Sequence, residues 1–168
     1  MYGKILVKKL SSLAGFTLIE LLVVITIVGI LFGIGVAQYI NFNRSQILEQ
    51  AAQELKNNLR LAQTKAANGE KPEGCSILDG YRVSFFSGGD SPDTYKIRAV
   101  CGGNEQGETK TFFLPSVIKF NPLPFPSQVL FKVLAQGTNL SDDLMINLVF
   151  KDTSLQKTVR VSKNGKIE

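Results

Sequence analysis

An α+β fold is expected from three features of the sequence. One end carries an unbroken apolar run, an amphipathic stripe at helical spacing continues it, and the remainder breaks into short β-type runs separated by Gly, Pro, Asn and Ser. The architecture implied is one long N-terminal helix, apolar first and amphipathic later, laid on an antiparallel sheet. The 168 residues suffice for one domain with its own core plus an appendage.

The helix comes first. Leu18 to Ala37 is interrupted by only two clearly polar residues, Glu20 and Thr26, and supplies the roughly 20 apolar residues that a bilayer crossing needs. Beyond Ala37, Leu48, Ala52, Leu55, Leu59, Ala62 and Ala66 recur at spacings of four and three, one stripe on a helix face. Asn68-Gly69 supplies a left-handed stop and Pro72 opposes continuation. A helix from Thr17 to Ala67 would be about 75 Å long. Gly29, Gly33 and Gly35 either let neighbouring helices approach or mark a softer stretch.

Strands follow. Runs at 81–86, 94–100, 111–114, 117–120, 129–134, 145–150 and 157–162 have β-type composition. Between them lie Gly-rich turns at 87–90 and 102–104 and the cluster Pro122, Pro124, Pro126. Asn164-Gly165 suits a tight turn that would return Lys166-Ile167 onto Val159–Val161. Apart from its two short runs, the segment 102–128 is left as loop, and Glu105, Glu108, Asp142 and Asp143 read as solvated turn acids. Phe112, Phe113, Phe120 and Phe125 belong either to the core or to a contact with a neighbouring subunit.

Charge is placed asymmetrically. Lys4, Lys8 and Lys9 precede the apolar run with no acid among them, and without them the formal balance falls from +5 to +2, too even for a strongly basic nucleic-acid binder. Three targeting readings compete. A secretory signal has a shorter apolar core and a small-residue cleavage site after it. A signal anchor would keep the lysines in the cytoplasm and the body outside. The third is a leader cut between Gly15 and Phe16, ahead of a retained helix. Only this last accounts for Glu20, because a carboxylate at membrane depth costs about 2.5–3.5 kcal/mol and needs a partner. A new α-amine on Phe16 would be that partner.

Gly15-Phe16-Thr17-Leu18-Ile19-Glu20, followed by Leu-Leu-Val-Val-Ile, resembles the prepilin signature of type IV pilins and type II secretion pseudopilins. The resemblance implies a leader 1–15, cleavage at Gly15/Phe16 by an inner-membrane prepilin peptidase and N-methylation of Phe16. It implies a transmembrane and assembly helix over 16–40 and an extracytoplasmic body over 41–168. The partners it implies are other pilin subunits, the assembly platform with its ATPase, and membrane lipid, with no cofactor. Glu20 would pair with a neighbour's terminal amine during assembly. Many relatives carry a proline near the end of the apolar run, where this chain has Ala37. The body, with its Phe131 strand running to Ala135-Gln136-Gly137 and its end Thr158-Val-Arg-Val-Ser-Lys-Asn-Gly-Lys-Ile167, looks like the H-type (GspH/FimT) minor pseudopilins.

Two further sites are candidates. Cys75 and Cys101 both fall on the extracytoplasmic side of that topology, where a disulfide persists. Free thiols are the alternative, since two cysteines without histidine do not make a four-ligand zinc set. Lys157, Arg160, Lys163 and Lys166 cluster at the C-terminal hairpin, either as DNA-phosphate contacts or as an edge strand's guard against aggregation. An enzyme is not expected: the sequence has no histidine, hence no Ser-His-Asp or Cys-His pairing, and its Gly-rich stretches lack a phosphate-loop Lys.

Overall fold

The computed structural model describes residues 15–168, so the leader residues 1–14, with Lys4, Lys8 and Lys9, lie outside the described residues. The chain divides into two units, Met1–Asn41 and Phe42–Glu168. The first consists, over its described part, of the apolar portion of helix α1 (Leu18–Ala67). Its side chains from Phe16 to Phe32 are exposed, and the segment is long and apolar enough to cross a membrane.

The second unit is an α+β body. Its share of α1 buries Leu48, Ala51, Ala52, Leu55, Leu59, Ala62 and Ala66, so the stripe read from the sequence is the face against the core. The helix stops where the sequence says. Gly69 takes a left-handed φ of 64°, its amide donates to Ala66 O, and the Glu70 amide donates to Lys65 O. These two bonds satisfy carbonyls that a helix end otherwise leaves open.

The strands are β1 (Leu78–Phe86), β2 (Thr94–Cys101), β3 (Asn104–Phe113), β4 (Ile118–Phe120), β5 (Gln128–Lys132), β6 (Leu144–Phe150) and β7 (Gln156–Val161). They form two antiparallel sheets, β3-β2-β1-β5 and β4-β6-β7, where the sequence suggested one. On β1 and β2, Tyr81, Val83, Phe85, Tyr95, Ile97 and Ala99 alternate inward; on the second sheet Ile118, Phe120, Ile146, Leu148, Val159 and Val161 do the same. Both sets join the helix stripe in one core. The Phe85 ring meets Phe120 edge-on at 5.6 Å between centroids, joining the sheets.

Two further expectations are corrected. Residues 104–110 are strand rather than loop, because β3 is an edge strand whose exposed faces lack the alternation that marks a half-buried one. Strand β5 ends at Lys132 rather than Leu134: the chain enters a 3₁₀ turn over Val133–Ala135, where Leu134 and Ala135 adopt φ of 54° and 57°. Of the aromatics left open, Phe120 is buried and Phe112 stacks on Tyr95 at 5.2 Å, whereas Phe113 and Phe125 are exposed, the latter by 93%.

The C-terminus follows the hairpin pattern. Gly165 sits at φ 88°, Val161 bridges to Ile167, and Arg160 and Glu168 exchange both backbone hydrogen bonds at 3.0 Å. Gln63 of the helix donates to Gly165 O at 2.9 Å and fixes this turn against α1.

Candidate assembly and binding sites

The helix opening is built by Thr17. Its hydroxyl accepts the Glu20 amide at 3.2 Å and its carbonyl accepts the Leu21 amide at 3.1 Å, so Thr17 acts as the N-cap and satisfies one of the donors every helix leaves free. Glu20 thereby falls in the first turn, exposed, at the end where the helix dipole favours a negative charge. Thr17-Leu-Ile-Glu20 has the spacing of a capping box, and the Thr17 half of it, the hydroxyl accepting the Glu20 amide, is formed. The exposed Glu20 carboxylate makes no ion pair within the described residues, and Gly15 and Phe16 immediately precede the capped turn. Thr26, the other polar residue of the run, donates its hydroxyl to Val23 O at 2.7 Å and so satisfies itself within the helix.

Cys75 and Cys101 are joined by a disulfide, their Cα atoms 5.7 Å apart. It ties the segment after α1 to the end of β2. Tyr81 reinforces the junction by donating to Glu70 O at 2.8 Å, with the Lys65 ammonium 5.8 Å from its ring centroid. Burial pushes the Tyr81 phenol above its ordinary pKa.

The four basic residues at the C-terminal hairpin are mostly matched by acids. Lys157 pairs with Glu49 of the helix at 2.6 Å. Arg160 grips Asp143 through Nε at 2.8 Å and Nη2 at 2.7 Å. Lys166 pairs with Glu168. The Lys157 hydrogen bond, then that of Gln53, holds the Glu49 carboxyl below its usual value, and the Lys166 hydrogen bond does the same for Glu168. Lys163 is exposed and makes no ion pair within the described residues. Asp143, read as a solvated turn acid, is therefore an ion-pair partner.

Glu105 needs the same correction. On β1 and β2, Arg82 and Arg98 stand directly opposite one another on the outer face of the four-stranded sheet. Like charges so placed repel. Glu105 of β3 bridges them, Oε1 to Arg82 at 3.0 Å and Oε2 to Arg98 at 3.1 Å. Beside this triad the Lys96 ammonium lies 5.0 Å from the Phe86 ring centroid. The available signal was two arginines at outward positions of adjacent strands, which call for an acid between them.

Residues 11–36 match a family model described as the prokaryotic N-terminal methylation motif. The match takes in Gly15, Phe16, Thr17 and Glu20 together with most of the apolar run, and supports a type IV prepilin-like N-terminus. No curated protein and no solved structure matches the chain.

Proposed function

We propose that this chain is a structural minor subunit of a type IV pilus or a type II secretion pseudopilus. Prepilin peptidase removes residues 1–15 by cutting between Gly15 and Phe16, and Phe16 is N-methylated. The helix from 16 to about 40 anchors the mature subunit in the inner membrane, with the body outside the cytoplasm, until the assembly platform draws it into a filament. The reading rests on one conjunction: a helix of exposed apolar side chains opens with a Thr17-capped turn that presents Glu20, directly after Gly15-Phe16, within the residues that match the methylation motif.

The same conjunction gives Glu20 its role. An isolated carboxylate is expensive at membrane depth, and the α-amine of a processed neighbour is a cation about one turn before that neighbour's own Glu20. Pairing the two fixes the axial register of adjacent subunits. The β7–turn–Ile167 ending, with its basic residues, supports an H-type subunit. Because Lys157, Arg160 and Lys166 already have acidic partners, the hairpin favours a structural part over DNA contact.

The test is the intact mass and N-terminal sequence of the protein recovered from membranes of a host with and without a prepilin peptidase. A mature chain beginning at methylated Phe16 only when the peptidase is present is the expected result. A chain beginning at Met1 in both hosts overturns the proposal and leaves a signal-anchored protein.

A further inference from the structure

We infer that the outer face of the four-stranded sheet docks an acidic segment of another protein, whose carboxylate seats between Lys96 and Arg98 and whose neighbouring apolar side chain lies on Phe86. The inference is independent of the filament reading. It starts from charge. Around Glu105 the face gathers three cations, Arg82, Lys96 and Arg98, so one carboxylate cannot neutralise them. Lys96 has no acidic partner among the described residues.

Geometry sharpens this. Arg98 Nε is shielded from solvent and has no hydrogen-bond partner among the described residues, although the same guanidinium binds Glu105 through Nη1. A shielded donor left unmade is unfavourable, so Glu105 does not fully satisfy the Arg98 guanidinium. The groove alongside has a volume of about 180 Å³, and Phe86, Lys96 and Arg98 line it together with Arg82 and Glu105. That volume takes a side chain. Glu105 already shows that the two guanidiniums accept a carboxylate in this setting, and a second carboxylate would meet Lys96 and the exposed part of the Arg98 guanidinium without displacing it. Phe86, 43% exposed on the same face, supplies the apolar neighbour.

A nucleic-acid strand fits less well. Its closely spaced phosphates would run over Glu105, and the basic residues of the C-terminal hairpin that could extend a track are mostly paired with acids.

The full chain in detergent is titrated against a fluorescein-labelled peptide of alternating Glu and Tyr, its Gln and Tyr counterpart, and labelled single-stranded oligothymidylate, with empty micelles as background. The Glu peptide is expected to bind and to weaken as salt rises. Lys96→Gln, which disturbs no ion pair, and Arg98→Gln should each reduce its affinity about tenfold. Glu105→Gln should increase it, since it removes the competing carboxylate; a residue with only a structural part would not. The inference is overturned if the Gln peptide binds equally, if Lys96→Gln has no effect, if oligothymidylate is the preferred ligand, or if no probe binds.

Discussion

The Asp93 carboxylate accepts the backbone amide of Phe120 at 2.7 Å, joining the start of β2 to β4 across 27 positions of sequence. Its other oxygen accepts the Gly88 amide at 2.8 Å, and its backbone carbonyl accepts the Leu114 amide at 2.9 Å. One buried residue thus closes the β1–β2 loop, holds the end of β3 and seats the first strand of the second sheet. The acid is only 4% exposed, so removing it strands two amides away from water. Asp93→Ala is expected to destabilise the protein by about 2–3 kcal/mol. Asp93→Asn should cost less, because one acceptor oxygen survives. Urea unfolding of the full chain in detergent, followed by tyrosine fluorescence, measures both.

Gly80 carries a different constraint. A Cβ there would lie 2.0 Å from Phe131 O, a backbone atom of β5 that cannot swing aside, and its φ of 158° adds to the restriction. Gly80→Ala is therefore expected to cost at least about 3 kcal/mol and to separate β5 from β1. Hydrogen exchange should show the loss in the amides of 128–132 before the rest of the sheet. Equal protection across β1, β2 and β5 would mean that the strand pair absorbs the methyl group.

Alkaline stability should depend on Tyr95. Its phenol is buried between the helix and the sheet, receives a hydrogen bond from Asn58 Nδ2 at 2.7 Å, and is pushed up to about 12 chiefly by burial. The folded state then holds its proton while the unfolded chain, with an ordinary value near about 10, has lost it. Unfolding releases protons in that window, so stability is constant below about pH 9 and falls from about pH 10 to about pH 12. Tyr95→Phe is expected to lower stability at neutral pH, since Asn58 loses its acceptor, and to flatten the alkaline slope. The remaining slope belongs to Tyr81, whose value is also raised by burial. Denaturant midpoints taken at several pH values read both effects.

Much of this fold is legible in the sequence where a single physical rule governs. The stripe from Leu48 to Ala66 is a matter of helical period, Asn68-Gly69 of backbone freedom, and Asn164-Gly165 of turn geometry. The residues that knit the molecule are less legible. Asp93, in Ser91-Pro92-Asp93, has the composition of an ordinary turn, and only the tertiary fold brings Phe120 to it. Strand β3 escaped because an edge strand exposed on both faces has no alternation to detect. The division into two sheets depends on which strands pair, and local composition does not encode that. At the N-terminus the reverse holds: Gly15, Phe16 and Glu20 announce themselves by chemistry, since a carboxylate in an apolar run needs an explanation whatever the fold.

The disulfide should stabilise the body without affecting the N-terminus. Cys75 and Cys101 enclose a loop with a sequence separation of 26. On the chain-entropy account its closure contributes roughly 3.5 kcal/mol. Replacing both cysteines by Ser is expected to lower the denaturation free energy by about that amount, while the mass of the processed N-terminus stays unchanged. A shift confined to the stability measurement would separate the body's folding from the leader's recognition.

Glu20→Ala tests the assembly role cleanly because of how Thr17 holds it. The capping bond runs to the Glu20 backbone amide, which an alanine retains, so the helix should still begin at Leu18. The substitution removes only the carboxylate, together with a modest helix-dipole contribution of about 0.3–1 kcal/mol. Leader cleavage between Gly15 and Phe16 is expected to proceed as before. Incorporation into filaments should fall by at least about tenfold, because a terminal amine left unpaired among apolar helices is strongly unfavourable. The measurement is the share of the chain in sheared filaments against that retained in membranes, with the N-terminal mass determined in both fractions. Cleaved chain confined to the membrane assigns the carboxylate to register, whereas normal incorporation would show that apolar helix packing alone sets it.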